Sequence, residues 1–329
     1  MDIFIKSFNR PYLLDKCLRT VTENISGYDR IIILDDGTPE RYLARLLKSY
    51  PDIIIRKSEY YEQKSAMIES GNIVKSELKF PGDFWYREIS QTDKPFFLLL
   101  EDDMYITNKV DLEEVREFME MHGLLIYKML WLGSPLLLQG DIRSFGNHEI
   151  LTPLTSVNLK NLRLLTESPG KYFYYILIKL GFIKNLIVEK LSKFYAVYTV
   201  AGAVFSTNYF KELWRGIHTL DENEQILRTL TYYRDNQIPL QAGKSAEELV
   251  KTTFSSSATN EFEEVDFSIF GFNSNLNELW YSGKMDMNTE SFVFKDFIEK
   301  HFSREDFRNW QEWKTKFTGG YKLLNCELD

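Results

Sequence analysis

"PFFLLLEDDMYI", residues 95 to 106, carries an apolar run straight into Glu101, Asp102 and Asp103. A run of this kind, without polar alternation, reads as a strand covered on both faces, as the centre of a parallel sheet requires. Such strands open at their carboxyl ends onto the ligand crevice of α/β proteins. The three acids therefore fall where a ligand binds, and that ligand must want several carboxylates together.

The sequence before this strand has the same character. "DIFIKS" is a short strand, and "NRPYLLDKCLRTVTENI" follows as a helix, with Asn9 as cap and Pro11 in the first turn. Leu13, Leu14, Cys17, Leu18 and Val21 share one face of that helix. "RIIIL", the turn "DDGT" and "PERYLARLLKSY" repeat the unit, with Thr38 as cap. "DIIIRKS" supplies a third strand and "YEQKSAMIESGNIVKSEL" a third helix. Alternation at this spacing predicts right-handed crossovers and a mostly parallel sheet flanked by helices.

Beyond "DLEEVREFMEMHG", a helix, "LLIYKMLWLGS" resumes as a strand, and a Gly- and polar-rich stretch from Ser134 to Asn161 breaks the pattern. "AVYTVAGAVFS" is strand-like around Gly202, "NYFKELWRGIHTL" and "ENEQILRTLTYYRDN" are helical, and "QIPLQAG" is a short strand. From Thr289 to Phe317 the chain reads as aromatic-rich helices that pack back on the body. The expected division is a donor-binding half over 1-135, an acceptor-side half over 136-260 with a lysine-rich insertion at 158-195, and a helical extension over 261-329. The segment from Gly170 to Tyr198 mixes apolar residues with five lysines against Glu189 alone. It leaves two readings, an interfacial element on an anionic membrane or an insertion packed on the core with its lysines in water.

With 329 residues, 44% of them hydrophobic, the chain can bury a large core. The net charge of -8 excludes a nucleic-acid partner held by a general basic field. Cys17 and Cys326 form no CxxC, which excludes a zinc or disulfide framework and fits a reducing, cytoplasmic location. No secretory signal is read at the start, and no apolar stretch reaches the length of about 18 residues that a membrane span needs.

"LDDGT", with Asp35 and Asp36, and "LEDDM" each follow a buried strand and so emerge at one sheet edge. Carboxylates so gathered repel unless donors or a divalent cation neutralise them, and hard oxygen ligands suit Mg2+ or Mn2+. A cation there could bridge to a diphosphate as a Lewis acid. Taken alone, "DDGT" is also an ordinary turn and helix cap.

In order and spacing, "IFIKSFNRPYLLDKCLRTV", "IIILDDGT" and "FLLLEDDMYI" resemble the family 2 glycosyltransferases of the GT-A fold, closely over residues 1 to 110 and more loosely over 196 to 230. The resemblance implies transfer from a nucleotide-sugar donor, a UDP-sugar foremost, to a hydroxyl of a glycan or lipid-linked acceptor in polysaccharide or glycoconjugate biosynthesis. It assigns Asp36 to the nucleobase with Phe8 beside it, Asp102 to the ribose region, and Asp103, last of a DXD-like cluster opened by Glu101, to Mn2+ or Mg2+. "AGAVFS" resembles the family's loop beside the sugar, with Gly202 as the close-approach position. "DENEQILR" resembles the family's "EDxDLxxR", which puts the catalytic base at Glu222 with Asp221 and Glu224 in support. A carboxylate suits that role, because inverting transfer needs a base for the acceptor hydroxyl; first-turn acids also serve the helix dipole.

The sequence departs from the family at Lys6, where a small or polar residue is usual, in the exchanged order of the "ED" pair, and in the absence of histidine from "LVKTTFSSSATNEF". Lys64 and Arg87 are the candidate counter-charges for a diphosphate, and Trp131, Trp214, Tyr198 and Trp280 the candidate sugar-stacking rings. A sugar nucleotidyltransferase should carry a Gly-rich basic loop after its first strand, and "IKSFNRP" has none. A dinucleotide oxidoreductase should carry GxGxxG, which is absent. A non-catalytic nucleotide-sugar-binding scaffold stays open as an alternative.

Overall fold

The computed structural model describes residues 1–153, 194–217, 222–289 and 292–328. Its strands are β1 (Asp2–Ser7), β2 (Ile25–Ser26), β3 (Arg30–Asp35), β4 (Ile54–Lys57), β5 (Phe96–Glu101), β6 (Met104–Ile106), β7 (Val110–Asp111), β8 (Ile126–Lys128), β9 (Asp141–Phe145), β10 (His148–Thr152), β11 (Ala203–Ser206), β12 (Ala242–Ser245) and β13 (Val250–Thr252). The helices are α1 (Pro11–Asn24), α2 (Glu40–Ser49), α3 (Tyr61–Ser70), α4 (Gly82–Ser90), α5 (Leu112–His122), α6 (Thr207–Trp214), α7 (Glu222–Asp235), α8 (Ile269–Tyr281), α9 (Phe294–His301), α10 (Arg304–Phe317) and α11 (Gly319–Leu323).

All six residues of β1 and the first five of β5 are buried, as expected of strands covered on both faces. The main sheet has nine strands in the order β4-β3-β1-β5-β11-β8-β12-β10-β9. From β4 to β5 every pairing is parallel, and β11 and β10 alone run against the rest. The fold is therefore mixed α/β with a mostly parallel sheet flanked by helices. The register sets Lys6 beside both Leu34 and Glu101, so the carboxyl ends of β1, β3 and β5 finish level.

Several local expectations are corrected. Neither Asn9 nor Thr38 caps a helix: Arg10 and Pro39 hold the cap positions of α1 and α2 without a side-chain bond. The third helix stops at Ser70, where Gly71 at φ 70° provides the left-handed exit that favours glycine. The Ser134–Asn161 stretch is not merely a break, because β9 and β10 form an antiparallel hairpin inside it. Its two-residue turn is Gly146-Asn147, with Gly146 at φ 68°.

The aromatic tail packs back on the body as expected. The Trp310 and Trp313 indoles are buried and donate to the Ser255 and Asn260 carbonyls, each at 2.9 Å. Helix α8 meets α1 through polar contacts, with Tyr12 Oη donating to Asn273 Oδ1 at 2.9 Å and Asn277 Nδ2 to Asn9 Oδ1 at 3.0 Å. Most of the lysine-rich segment lies outside the described residues. No described helix is long and apolar enough to cross a membrane.

Candidate active site

Asp35 and Asp36 leave β3 together and do different work. Asp35, fully buried, accepts from the Gly37 amide at 3.0 Å, the Thr38 amide at 2.8 Å and the Thr38 hydroxyl at 2.6 Å. These bonds commit its carboxylate to the turn, so Asp35 positions Asp36 and is not itself placed to bind a ligand. Burial pushes its pKa up to about 6, against those hydrogen bonds. Asp36 accepts from Ser58 Oγ at 2.6 Å and pairs with the buried Lys64 ammonium, which also donates to the Lys79 carbonyl. Burial raises the Asp36 carboxyl, and Lys64 opposes that rise.

The Lys64 ammonium lies 5.7 Å from the Phe8 ring centroid and 5.5 Å from that of Tyr60. Phe8, Tyr60, Lys64 and Asp36 thus form one aromatic and charged corner. Gly37 completes it: at φ 138°, a Cβ there would stand 2.6 Å from Lys64 Cβ and 3.2 Å from the Phe8 ring. Lys64 belongs to this corner, and its charge is used by Asp36 rather than offered to a diphosphate. Arg87 lies on the surface with Glu59 at 3.5 Å and Glu88 at 3.3 Å.

At the end of β5 the three acids meet two cations from β1 and its following turn. Lys6 Nζ sits 2.8 Å from Glu101 and 4.8 Å from the Trp85 centroid. Although burial works the other way, Lys6 lowers the Glu101 carboxyl. Arg10 forks across the next two residues, with Nη2 on Asp102 Oδ1 and Nη1 3.0 Å from Asp103 Oδ2. Asp102 also accepts from the Phe8 amide at 3.2 Å. Burial raises both aspartates, and Arg10 holds them back. Sequence reading missed both cations as neutralising partners, although "KSFNRP" places them four apart at the strand end.

Asp103 Oδ1 is buried without a hydrogen-bond partner. An orphaned carboxylate oxygen fits one contact to a hard divalent cation. The described residues contain no group of three or more His, Cys, Asp or Glu that could hold a metal. Among the described residues, Asp103 thus fits a single contact to such a cation, and no cage of protein ligands surrounds it.

Glu222 opens α7 and is exposed; Asp221 lies outside the described residues. The Tyr195 hydroxyl donates to Glu222 Oε2 at 2.5 Å. Tyr321, from the far end of the chain, feels the charges of both groups of acids. Burial, then the charges of Glu222, Glu101 and Asp103, push its phenol up to about 12. Its ring packs on Phe254 at 4.7 Å, just beyond β13, whose Thr252 pairs with Met104. The segment after Tyr321 is pinned by the Glu327 amide to the Leu132 carbonyl at 2.8 Å and by Ser134 Oγ to the Leu324 carbonyl. No motif pointed to Tyr321, because its place depends on how the tail folds back.

Gly202, at φ 70°, approaches Leu130, and a Cβ there would lie 2.6 Å from Leu130 Cβ. The close approach that demands glycine is thus to the core. Trp131, Trp214, Tyr198 and Trp280 are all buried, so none presents an open face to a sugar. His148 Nδ1 is 2.7 Å from Tyr127 Oη, His122 lies tilted by 59° against Phe118, and His301 stacks on Phe297.

No family model matches the chain, and no curated protein matches its sequence. Among solved structures it is similar to S. aureus TarS residues 1-349, at 13% identity and a TM-score of 0.42, covering 97% of this chain and 91% of that one. In a longer TarS structure, at 12% identity and a TM-score of 0.40, the chain spans 48% of the other's length. It is also similar to glucosyl-3-phosphoglycerate synthase from Mycobacterium tuberculosis in complex with Mn2+, UDP and glucosyl-3-phosphoglycerate, at 12% identity and a TM-score of 0.41, covering 87% of this chain and 81% of that one. Identities this low say nothing about activity.

Proposed function

We propose that this chain is an inverting glycosyltransferase that takes a sugar from a nucleotide-diphosphate donor, a UDP-sugar foremost, to a hydroxyl of a glycan-type acceptor. The observation that carries the reading is the unpartnered, buried Asp103 Oδ1 at the mouth of β5, next to the corner of Phe8, Tyr60, Lys64 and Asp36. In this reading the nucleobase enters the corner of Phe8, Tyr60 and Asp36, and the ribose lies near Asp102. Asp103, through its unpaired oxygen, would hold Mn2+ or Mg2+. When bound, the cation supplies Lewis-acid stabilisation of the departing diphosphate.

Glu222 accepts the proton of the acceptor hydroxyl as that oxygen forms its bond to the anomeric carbon and the bond to the diphosphate oxygen breaks. Tyr195 fixes the Glu222 carboxylate by its hydrogen bond, so the base meets the acceptor in one orientation. Lys6 and Arg10 keep the acidic edge close to neutral, which lets an anionic diphosphate approach it. Glu222→Gln is expected to lower transfer about a hundredfold or more and to leave UDP affinity unchanged. Transfer at the wild-type rate would remove Glu222 from the base role, and a product retaining the donor's anomeric configuration would remove the single inverting displacement.

A further inference from the structure

Lys128 is the last residue of β8 and is buried, at 2% exposure. Because β11 runs antiparallel to both β5 and β8, β8 points the same way as β5, and Lys128 lies toward the sheet edge that carries the acids. Taking an ammonium out of water is costly unless its donors are used. Burial pushes this one down to about 7, against the charge of Glu248. Its hydrogen-bond partners are backbone: Nζ donates to the Tyr195 carbonyl and, at 2.9 Å, to the Tyr198 carbonyl. Both carbonyls belong to one turn, closed by the Val197 amide on the Phe194 carbonyl at 3.0 Å.

The side chains of the same two residues reach α7. Tyr195 Oη donates to Glu222 Oε2 at 2.5 Å, and Tyr198 Oη donates to Gln225 Oε1. Glu222 and Gln225 are three residues apart on α7 and share a face. Phe194, Tyr198, Ile226, Leu227 and Leu230 form a small core distinct from the main one, and Lys128 ties it to the sheet. A lysine suits this place, because an ammonium has three donors to spread over two carbonyls and its bonds are stronger than those of a neutral group. We propose that Lys128 is a positioning residue for transfer: it clamps the turn over 194–198 and, through the Tyr195 phenol, fixes where the Glu222 carboxylate stands. The inference rests on the reading of Glu222 as the base.

The test has two arms, run on wild type, Lys128→Met, Glu222→Gln and the double variant. In the first, the full chain is labelled with 3-fluorotyrosine, and the Tyr195 fluorine signal is assigned by its loss in Tyr195→Phe. The clamp predicts that Glu222→Gln moves this signal in wild type, that Lys128→Met moves it too, and that Glu222→Gln has no further effect once Lys128 is gone. A Tyr195 signal unchanged by Lys128→Met overturns the clamp. This arm needs no donor, so it decides the clamp independently of turnover. The second arm follows UDP release from UDP-glucose with water as acceptor. A misplaced base costs about tenfold or more in kcat, so Lys128→Met is expected to lower kcat by that factor, to leave KM within about twofold, and to add nothing in the Glu222→Gln background. Tyr195→Phe, at a half-buried position, is expected to do the same and covers the case of a poorly folding Lys128→Met. Wild-type kcat in either single variant, or losses that multiply in the double variant, overturns the role in transfer. Wild-type turnover by Glu222→Gln removes the base reading itself, a failure distinct from that of the clamp.

Discussion

Replacing Arg10 by Met keeps the length of the side chain and removes the guanidinium that forks between Asp102 and Asp103. The Arg10 side chain is 7% exposed and that of Asp102 2%. After the change Asp102 retains the Phe8 amide at 3.2 Å, and Asp103 Oδ2 loses its donor at 3.0 Å. Removing one partner of a buried ion pair costs about 3–5 kcal/mol, because the other charge stays buried. The cost depends on pH in a fixed direction. Burial already raises the folded-state pKa of Asp102 above its ordinary 3.8, and losing Arg10 raises it further. An acid so raised adds stability that is full below its unfolded pKa and is lost as pH rises through the folded one.

The deficit of the Arg10→Met variant should therefore be largest at pH 8. At pH 5, where one aspartate holds its proton, it should shrink by at least about 1.4 kcal/mol, the equivalent of one pKa unit. Urea unfolding of both proteins at the two pH values, followed by tryptophan fluorescence, measures it. A variant as stable as wild type at pH 8, or a deficit independent of pH, refutes the reasoning.

Gly202→Ala should destabilise the fold by about 2 to 5 kcal/mol, the sum of a left-handed backbone penalty and overpacking against Leu130; unchanged urea unfolding would contradict that packing. Tyr321→Ala should remove the ring that packs on Phe254 and admit water near the acids whose charges reach it. Release of UDP from a UDP-sugar without acceptor should then rise severalfold while UDP affinity stays within twofold. A rate equal to wild type would place Tyr321 outside the site.

The strands were legible where burial on both faces leaves one sequence solution. The apolar runs of β1, β3 and β5 announced both the sheet and the edge at which it ends. The hairpin of β9 and β10 was less so, because β9 is exposed throughout and lacks an apolar face. The Gly146-Asn147 pair between Phe145 and His148 was the available signal, since glycine at the first position suits a two-residue hairpin turn.

In the site, sequence reading located the acids but not their partners. Lys6 and Arg10 face Glu101, Asp102 and Asp103 because β1 and β5 are neighbours in the sheet, a fact of topology that neither motif contains. Asp35 and Asp36 look alike as letters, and backbone geometry alone separates the turn-builder from the residue in the aromatic corner. Tyr321 lies more than 200 residues beyond Asp103, and nothing local to it signals a site.

Calorimetric titration with UDP, in the presence and absence of Mn2+, tests the central claim most directly when run on wild type and on Asp103→Asn. The account predicts saturable binding of one UDP per chain to wild type, tighter with Mn2+, and a variant that binds more weakly and no longer responds to the metal. Wild-type protein that binds no UDP under either condition, or an Asp103→Asn variant with full affinity and full metal response, would contradict it.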